Sequence, residues 1–173
     1  MKCPACGRDN LPGVDECVHC LESLMQEDVP QPETPVERSI MVDPIATLRS
    51  PAPEIVSTDA PVSEVVRHMR EVNVGYVLVL DREMRLAGIF TERDLLCKVA
   101  GQTADLASIP VSKLMTPNPT VLCPDEPIKH ALFLMAHNRF RHIPLVDEEG
   151  RPNAITSVRH VVEFIEGLNP DAV

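Results

Sequence analysis

The sequence contains no tryptophan, one tyrosine and four phenylalanines among 173 residues, so its core must be assembled from Val, Leu, Ile, Ala and Met. So few rings leave no platform on which successive bases of a single-stranded nucleic acid would stack. Positive charge is also scarce: 16 Lys and Arg stand against 26 Asp and Glu, a formal net charge of -10 with no basic run to break that field, which disfavours nucleic acid as the main partner. No apolar stretch approaches the roughly 20 residues that cross a bilayer. The opening Met1-Lys2-Cys3-Pro4-Ala5-Cys6 does not lead into an apolar signal region. The expectation is a cytoplasmic protein with no membrane segment, in a compartment where thiols stay reduced and clustered cysteines hold metal more often than they pair. The sequence also lacks a phosphate-cradling glycine loop, a dinucleotide glycine fingerprint and any nucleophile-base constellation, so no enzyme activity is expected.

What is present begins with four cysteines. Cys3-x-x-Cys6 and Cys17-x-x-Cys20 are ten residues apart, and Gly7 and Pro12-Gly13 supply the turns between them. Four such thiolates make a closed tetrahedral site, Cys3, Cys6, Cys17 and Cys20. A segment this short has too little core to fold alone, so the ion would supply its folding free energy. The string CPACGRDNLPGVDECVHCLESL resembles short zinc ribbons, which implies a structural Zn2+ over residues 1–22. Disulfide pairing and a rubredoxin-like iron are the alternatives, and His19 is a spacer inside the second knuckle. Lys2 and Arg8 face Asp9, Asp15, Glu16 and Glu22, a balance that suits a protein-facing surface. Residues 23–44 are acidic and Pro-rich without apolar periodicity, which predicts an extended linker and an independently moving ribbon.

The rest of the chain is duplicated. Residues 45–96 reappear at 111–162 without a gap, so Leu48, Pro51, Pro53, Asp59, Pro61, Met69, Asp81, Arg85, Ile89 and Arg93 recur as identical residues sixty-six positions later. Two copies predict a closed pair rather than a solenoid. Each copy opens with an extended stretch, 53–57 or 119–123, followed by Asp59 or Asp125 at a helix entry. Val62, Val65, Val66 and Met69 then recur at helical spacing, as do Ile128, Ala131, Leu132 and Met135. Two apolar strands joined by a polar hairpin follow, at 76–80 with 86–90 and at 142–146 with 154–156, and a last helix closes each copy. The predicted fold is α/β of the α+β type, with two βαββα units at 45–105 and 106–169 behind the ribbon. His68, His130 and His137 are expected on the surface, and Cys97 and Cys123 as small buried apolar groups.

Gly88-Ile89-Phe90-Thr91-Glu92-Arg93-Asp94 and Phe140-Arg141-His142-Ile143-Pro144-Leu145-Val146-Asp147 resemble elements of CBS domains, and over residues 45–168 the chain resembles the tandem pair called a Bateman module. The resemblance implies sheet-to-sheet packing about a pseudo-two-fold, a homodimer, and a regulatory role in which an adenosine derivative (AMP, ADP, ATP or S-adenosylmethionine) binds between the copies and the state is passed to a protein partner. It also implies the ligand-binding set: Thr91, Arg93 and Asp94 in copy one, and Arg141, His142, Ser157, Arg159 and His160 in copy two, with Val121 and Ile143 against the adenine. Thr91 begins a helix where unpaired amides favour an anion, and Asp94 one turn on would accept ribose hydroxyls. The same Thr91-x-x-Asp94 also reads as a capping box with no ligand. Copy two keeps the cap at Ser157 but has His160 in place of the acid, whereas copy one has Gly75 and Tyr76 in place of Arg141 and His142. One shared site combining Asp94 with Arg141 and His142 is therefore expected. The competing readings are a dimerisation module without ligand, a transcription-linked factor acting through the ribbon, and an iron-bearing electron carrier.

Overall fold

The computed structural model describes residues 2–3, 5–24, 32–99 and 105–168, which form a mixed α and β chain. In copy one, strand β1 (Ile55–Ser57) leads to helix α2 (Val62–Glu71), strands β2 (Tyr76–Leu80) and β3 (Leu86–Thr91), and a closing helix α3 (Glu92–Asp94) that continues as a π-helical turn (Leu95–Val99). Helix α2 forms because Val62, Val65 and Met69, spaced three and four apart, bury one stripe under the sheet. With Val77, Val79, Phe90 and Val111 they make the core of this copy. The recurring Asp81 and Asp147 now have a role. Each carboxylate accepts two backbone N–H groups of its hairpin loop, from Glu83 and Arg85 in one copy and from Glu149 and Arg151 in the other.

The sheet of copy one has four strands in the order β1-β2-β3-β4, with β1 parallel and the others antiparallel. Strand β4 (Thr116–Pro117) pairs Pro117 with Gly88 and Thr116 with Ile89. Gly88 is required by this approach, because a Cβ there would lie 2.4 Å from Met115 Sδ and 2.9 Å from the Thr116 carbonyl oxygen. Copy two comprises α4 (Ile128–Asn138), β5 (His142–Val146), β6 (Pro152–Ser157) and α5 (Val158–Leu168), and its sheet has two strands. The stretch 119–123, expected to open copy two as a strand, carries only one bridge residue, Leu122, and the Cys123 N–H donates to Glu126 Oε1 at 2.9 Å.

Asp59 and Asp125 do not cap the helices they precede. The N-caps are Pro61 and Pro127, neither of which has a side-chain cap, so the first amides must find carbonyl acceptors. The Val62 N–H donates to the Ile109 carbonyl at 2.9 Å, and the Ile128 N–H to the Asp43 carbonyl at 3.0 Å. In return the Val111 N–H donates to Ala60 and the Ile45 N–H to Glu126, both at 2.8 Å, while Pro61 bridges Pro110 and Pro127 bridges Pro44. Two short 3-10 turns, Ile45–Leu48 and Val111–Lys113, are thus exchanged: each opens one copy in sequence and seats on the helix start of the other. The compact units consequently do not coincide with the copies. One comprises Pro51–Val121 and Pro144–Ile155, the other Met1–Ser50, Leu122–Ile143 and Thr156–Val173.

The segment 23–44 also departs from an extended linker. Residues 25–31 lie outside the described residues, but Pro35–Val42 form helix α1, which packs on α4. A capping box starts it, with Thr34 Oγ1 accepting from the Glu37 N–H and Glu37 Oε2 accepting from the Thr34 N–H, each at 3.1 Å, and Pro35 occupies the first turn. Among the described residues no helix is long and apolar enough to cross a membrane.

Candidate functional sites

The ribbon is itself a small repeat. Residues 2–9 and 16–23 each close through a bridge, Lys2 with Asp9 and Glu16 with Ser23. In each, the fifth residue after the bridge residue turns back with positive φ: Gly7 at 69° and Leu21 at 60° donate to the Cys3 and Cys17 carbonyls at 2.9 and 2.8 Å. These turns point all four cysteines inward. Every Sγ lies within 4.8 Å of the others, with Cys3 to Cys20 at 3.6 Å and Cys6 to Cys17 at 3.5 Å. The thiols are free, and these separations approach the edge of about 3.8 Å that a tetrahedron of 2.3 Å zinc–sulfur bonds requires. The donor set therefore fits a four-thiolate metal centre of the zinc ribbon kind.

Cys17 also receives hydrogen bonds at its sulfur. The Asn10 amide donates to Cys17 Sγ at 3.4 Å and the His19 N–H at 3.5 Å, so His19 contributes backbone while its side chain stays exposed. Burial pushes the Cys17 thiol up, but the His19 and Cys20 amides and Asn10 outweigh it and lower its pKa to about 6. Phe133 of α4 packs against the cysteine cluster, which places the ribbon against that helix. Below it His130, expected at the surface, is 3% exposed and bonded to Glu126 at 2.5 Å. Burial alone would raise Glu126, but His130, the Cys123 amide and the charge of Arg8 hold it below the usual carboxylate range. His68 is half-buried against Glu54 at 2.9 Å, and His137 is exposed with its ring stacked on Phe133. Cys97 and Cys123 are exposed, contrary to the buried role expected of them, because the neighbouring Leu95 and Leu122 take the inward positions.

The closing helices carry the remaining candidates. In copy one Thr91 caps α3 and Asp94 completes the box, so the capping reading of this motif is realised. Asp94, 5% exposed, accepts from the Thr91 N–H at 2.9 Å, the Thr91 hydroxyl at 2.7 Å, Lys98 Nζ at 2.6 Å and the Thr116 hydroxyl at 3.1 Å. Burial would raise this acid, but Lys98 and the two Thr91 donors more than compensate and lower it. Neither Lys98 nor Thr116 stood out in the sequence, although an acid and a lysine four residues apart on a helix is a readable pairing signal. Arg93 is exposed.

In copy two Ser157 Oγ accepts from the His160 N–H at 3.4 Å, and Arg159 is exposed and paired with Glu163 at 2.8 Å. His160 Nδ1 is buried without a hydrogen-bond partner among the described residues, and burial pushes its pKa down. Strands β5 and β6 neighbour each other, as β2 and β3 do where Tyr76 pairs with Thr91, so the start of β5 with Arg141 and His142 belongs beside the Ser157 end of β6. Arg141 is exposed, Ile143 fully buried and Val121 half-buried. Asp94 belongs to the unit of Pro51–Val121, and Arg141, His142 and His160 to the other.

A CBS domain profile matches residues 36–101 and 111–167. The 17.7 kDa protein of the bps2 3' region of Acidianus ambivalens is 32% identical over 111 residues, covering 64% of this chain and 66% of its own length. The chain spans only 19% of the longer Arabidopsis thaliana CBS domain-containing relatives that it matches. Among solved structures, the CBS-domain protein ATU1752 of Agrobacterium tumefaciens superposes with a TM-score of 0.62 at 31% identity over 70% of this chain and 97% of that one. The CBS domain protein PAE2072 of Pyrobaculum aerophilum, solved with AMP, superposes with a TM-score of 0.63 at 20% identity over 72% of this chain and 98% of that one.

Proposed function

The chain belongs to the CBS domain family, and on that footing we propose that it is a non-enzymatic regulatory module that binds an adenosine nucleotide of the AMP, ADP or ATP class through its tandem copies and signals to a protein partner. The observation that carries this reading is the pair of closing helices, at Glu92 and Val158, each entered from a strand through a hydroxyl cap, Thr91 or Ser157. A fold shared with an AMP-bound CBS pair supports it. The set Thr91, Arg93, Asp94, Arg141, His142, Ser157, Arg159, His160, Val121 and Ile143 stands as the candidate ligand contacts. Ligand binding regulates only if its affinity differs between two states of the module. A cytoplasmic homodimer is part of the same reading. The second reading, a dimerisation module without ligand, draws on the four donors that already fill Asp94.

The test is isothermal titration of the metal-loaded chain with AMP, ADP, ATP and S-adenosylmethionine, repeated on Arg141→Ala. Saturable binding weakened by the substitution supports the sensor. No binding of any of the four at tens of micromolar protein would sink it and leave the dimerisation module.

We further propose that the ribbon's ion is a structural Zn2+, held by Cys3, Cys6, Cys17 and Cys20. When bound it supplies on the order of 10 kcal/mol to a segment with almost no core of its own. Of the six cysteines, the exposed Cys97 and Cys123 are expected to react with a thiol reagent at once and the other four only after a chelator is added. Elemental analysis reads the metal, and six fast thiols before chelation would refute the site.

A further inference from the structure

The sixty-six-residue register also matches the first helices of the two copies, α2 and α4, residue by residue, and their outward faces differ. Helix α2 is one-sided. Val62, Val65 and Met69 are buried, while Glu64, Arg67, Arg70 and Glu71 are exposed, with Arg67 and Glu71 paired at 4.0 Å. In α4 the places of Glu64, Arg67 and Glu71 are taken by His130, Phe133 and His137, and no residue from Ile128 to Met135 is exposed. A helix with no wet face over its first two turns is covered on more than the side that meets its own core.

The ribbon supplies cover at Phe133. That ring packs against the cluster of Cys3, Cys6, Cys17, Cys20 and Leu24, and the ribbon and α4 belong to the same compact unit. The other partly buried apolar groups on the cluster are Ala5 and Val14, and residues 1–24 contain no Phe, Tyr or Trp. The largest apolar group on the ribbon's core is therefore borrowed from copy two. His137 stacks on the same ring with centroids 5.8 Å apart. Charge favours the same meeting: burial would raise Glu126, two residues before α4, but His130, the Cys123 amide and the charge of Arg8 in the ribbon lower it. In copy one the counterpart of Glu126 is Ala60, and Arg67 offers a charge where the ribbon needs a ring. The repeat thus departs from its own pattern at the positions that meet the ribbon.

We propose that the outer face of α4, centred on Phe133, is the dock of the metal-loaded ribbon, so that metal occupancy at the four cysteines and the stability of α4 are linked. This rests on the reading of Cys3, Cys6, Cys17 and Cys20 as a structural metal site and makes copy two, not copy one, the half of the chain that responds to the ion. Without its ion the ribbon has too little core to keep its shape, so loss of the metal also removes the surface that covers Phe133. Whatever factor docking adds to metal affinity, the metal adds to docking.

The experiment has two arms on the full chain. In the first, Zn2+ affinity is measured by competition with a chromophoric chelator for the wild type, Phe133→Arg, Phe133→Leu and the matched copy-one control Arg67→Ala. Phe133→Arg, which installs the residue that copy one has at this place, is expected to bind Zn2+ at least about tenfold more weakly. Phe133→Leu, which keeps an apolar group, and Arg67→Ala stay within about threefold of the wild type. In the second arm, amide hydrogen exchange of the wild type is compared with and without Zn2+. Removal of the ion is expected to speed exchange at residues 128–138 by at least about tenfold and to leave residues 62–71 within about threefold. This arm needs no variant, so it decides the case even where Phe133→Arg fails to fold. A folded Phe133→Arg with wild-type Zn2+ affinity, unchanged exchange at 128–138, or equal acceleration in both helices would each overturn the dock and leave an independently moving ribbon with its metal site intact. No Zn2+ bound by the wild type would remove the metal reading and the dock together.

Discussion

Copy one and copy two share a backbone plan and differ in what their equivalent side chains are asked to do. In copy one the repeat places Gly88 against β4, Phe90 in the core and Asp94 under Lys98. In copy two the same positions hold Ala154, Thr156 and His160. There the edge contact shrinks to one bond, from the Ile155 N–H to the Pro51 carbonyl at 3.3 Å, and two of the three side chains bury a polar atom that has no partner among the described residues. The main-chain bonds that seat the exchanged turns, Val62 to Ile109 and Val111 to Ala60, recur at the matched positions as Ile128 to Asp43 and Ile45 to Glu126. A duplicated fold thus tolerates opposite polarity at matched positions because main-chain hydrogen bonds carry the architecture, leaving one copy self-satisfied and the other polar and unsatisfied.

Substitutions at matched positions test how deep this difference runs. Phe90→Ala empties a fully buried site and is expected to cost about 3–5 kcal/mol in urea unfolding. Gly88→Ala is expected to cost about 1–3 kcal/mol by forcing a methyl onto Met115 and the Thr116 backbone, and Ala154→Gly less than about 1 kcal/mol. Equal costs at 88 and 154 would mean that the two sheet edges are alike after all. Thr156→Val, which keeps shape and removes an unpartnered hydroxyl at a fully buried position, is expected to stabilise the protein by about 1 kcal/mol. Destabilisation there would show that the hydroxyl has found a partner.

Protonation separates the copies more gently. Burial, modulated by Glu163 and Arg159, holds His160 below its usual 6.5, so the unfolded chain takes up that proton first and stability falls as pH drops below about 6.5. Asp94 is held below its usual value by Lys98 and Thr91 against the opposing effect of burial, so its contribution is present above about pH 4 and is lost as pH falls through the folded pKa. Unfolding midpoints from pH 7 to 3 should therefore lose their first decline in His160→Asn and their last in Asp94→Asn. A single decline common to both variants would contradict the assignment.

Much of this was legible without coordinates, and the limits were physical. The four ribbon cysteines could be read because metal ligation needs a fixed donor type at fixed spacing, and the copies because a gap-free repeat needs no knowledge of contacts. The misreadings share one cause. Asp59 and Asp125 stand at the helix entries, but Ile109 and Asp43, fifty and more residues away in sequence, supply the acceptors for the first amides. His130 looked exposed, but the fold buries it and Glu126 bonds its ring. Helix α1 is the exception, since Thr34-Pro35-x-Glu37 carried a capping box that the acidic, Pro-rich composition concealed.

Local pattern by itself determined the four-cysteine cluster, the alternation of helix and strand and the family, because cysteine spacing and hydrophobic periodicity act over a few residues. Tertiary structure decided which acid is tied down and which polar atoms are left over. Lys98 and Thr116 acquire their meaning from Asp94, and Ser50 from the burial that leaves its hydroxyl without a partner among the described residues.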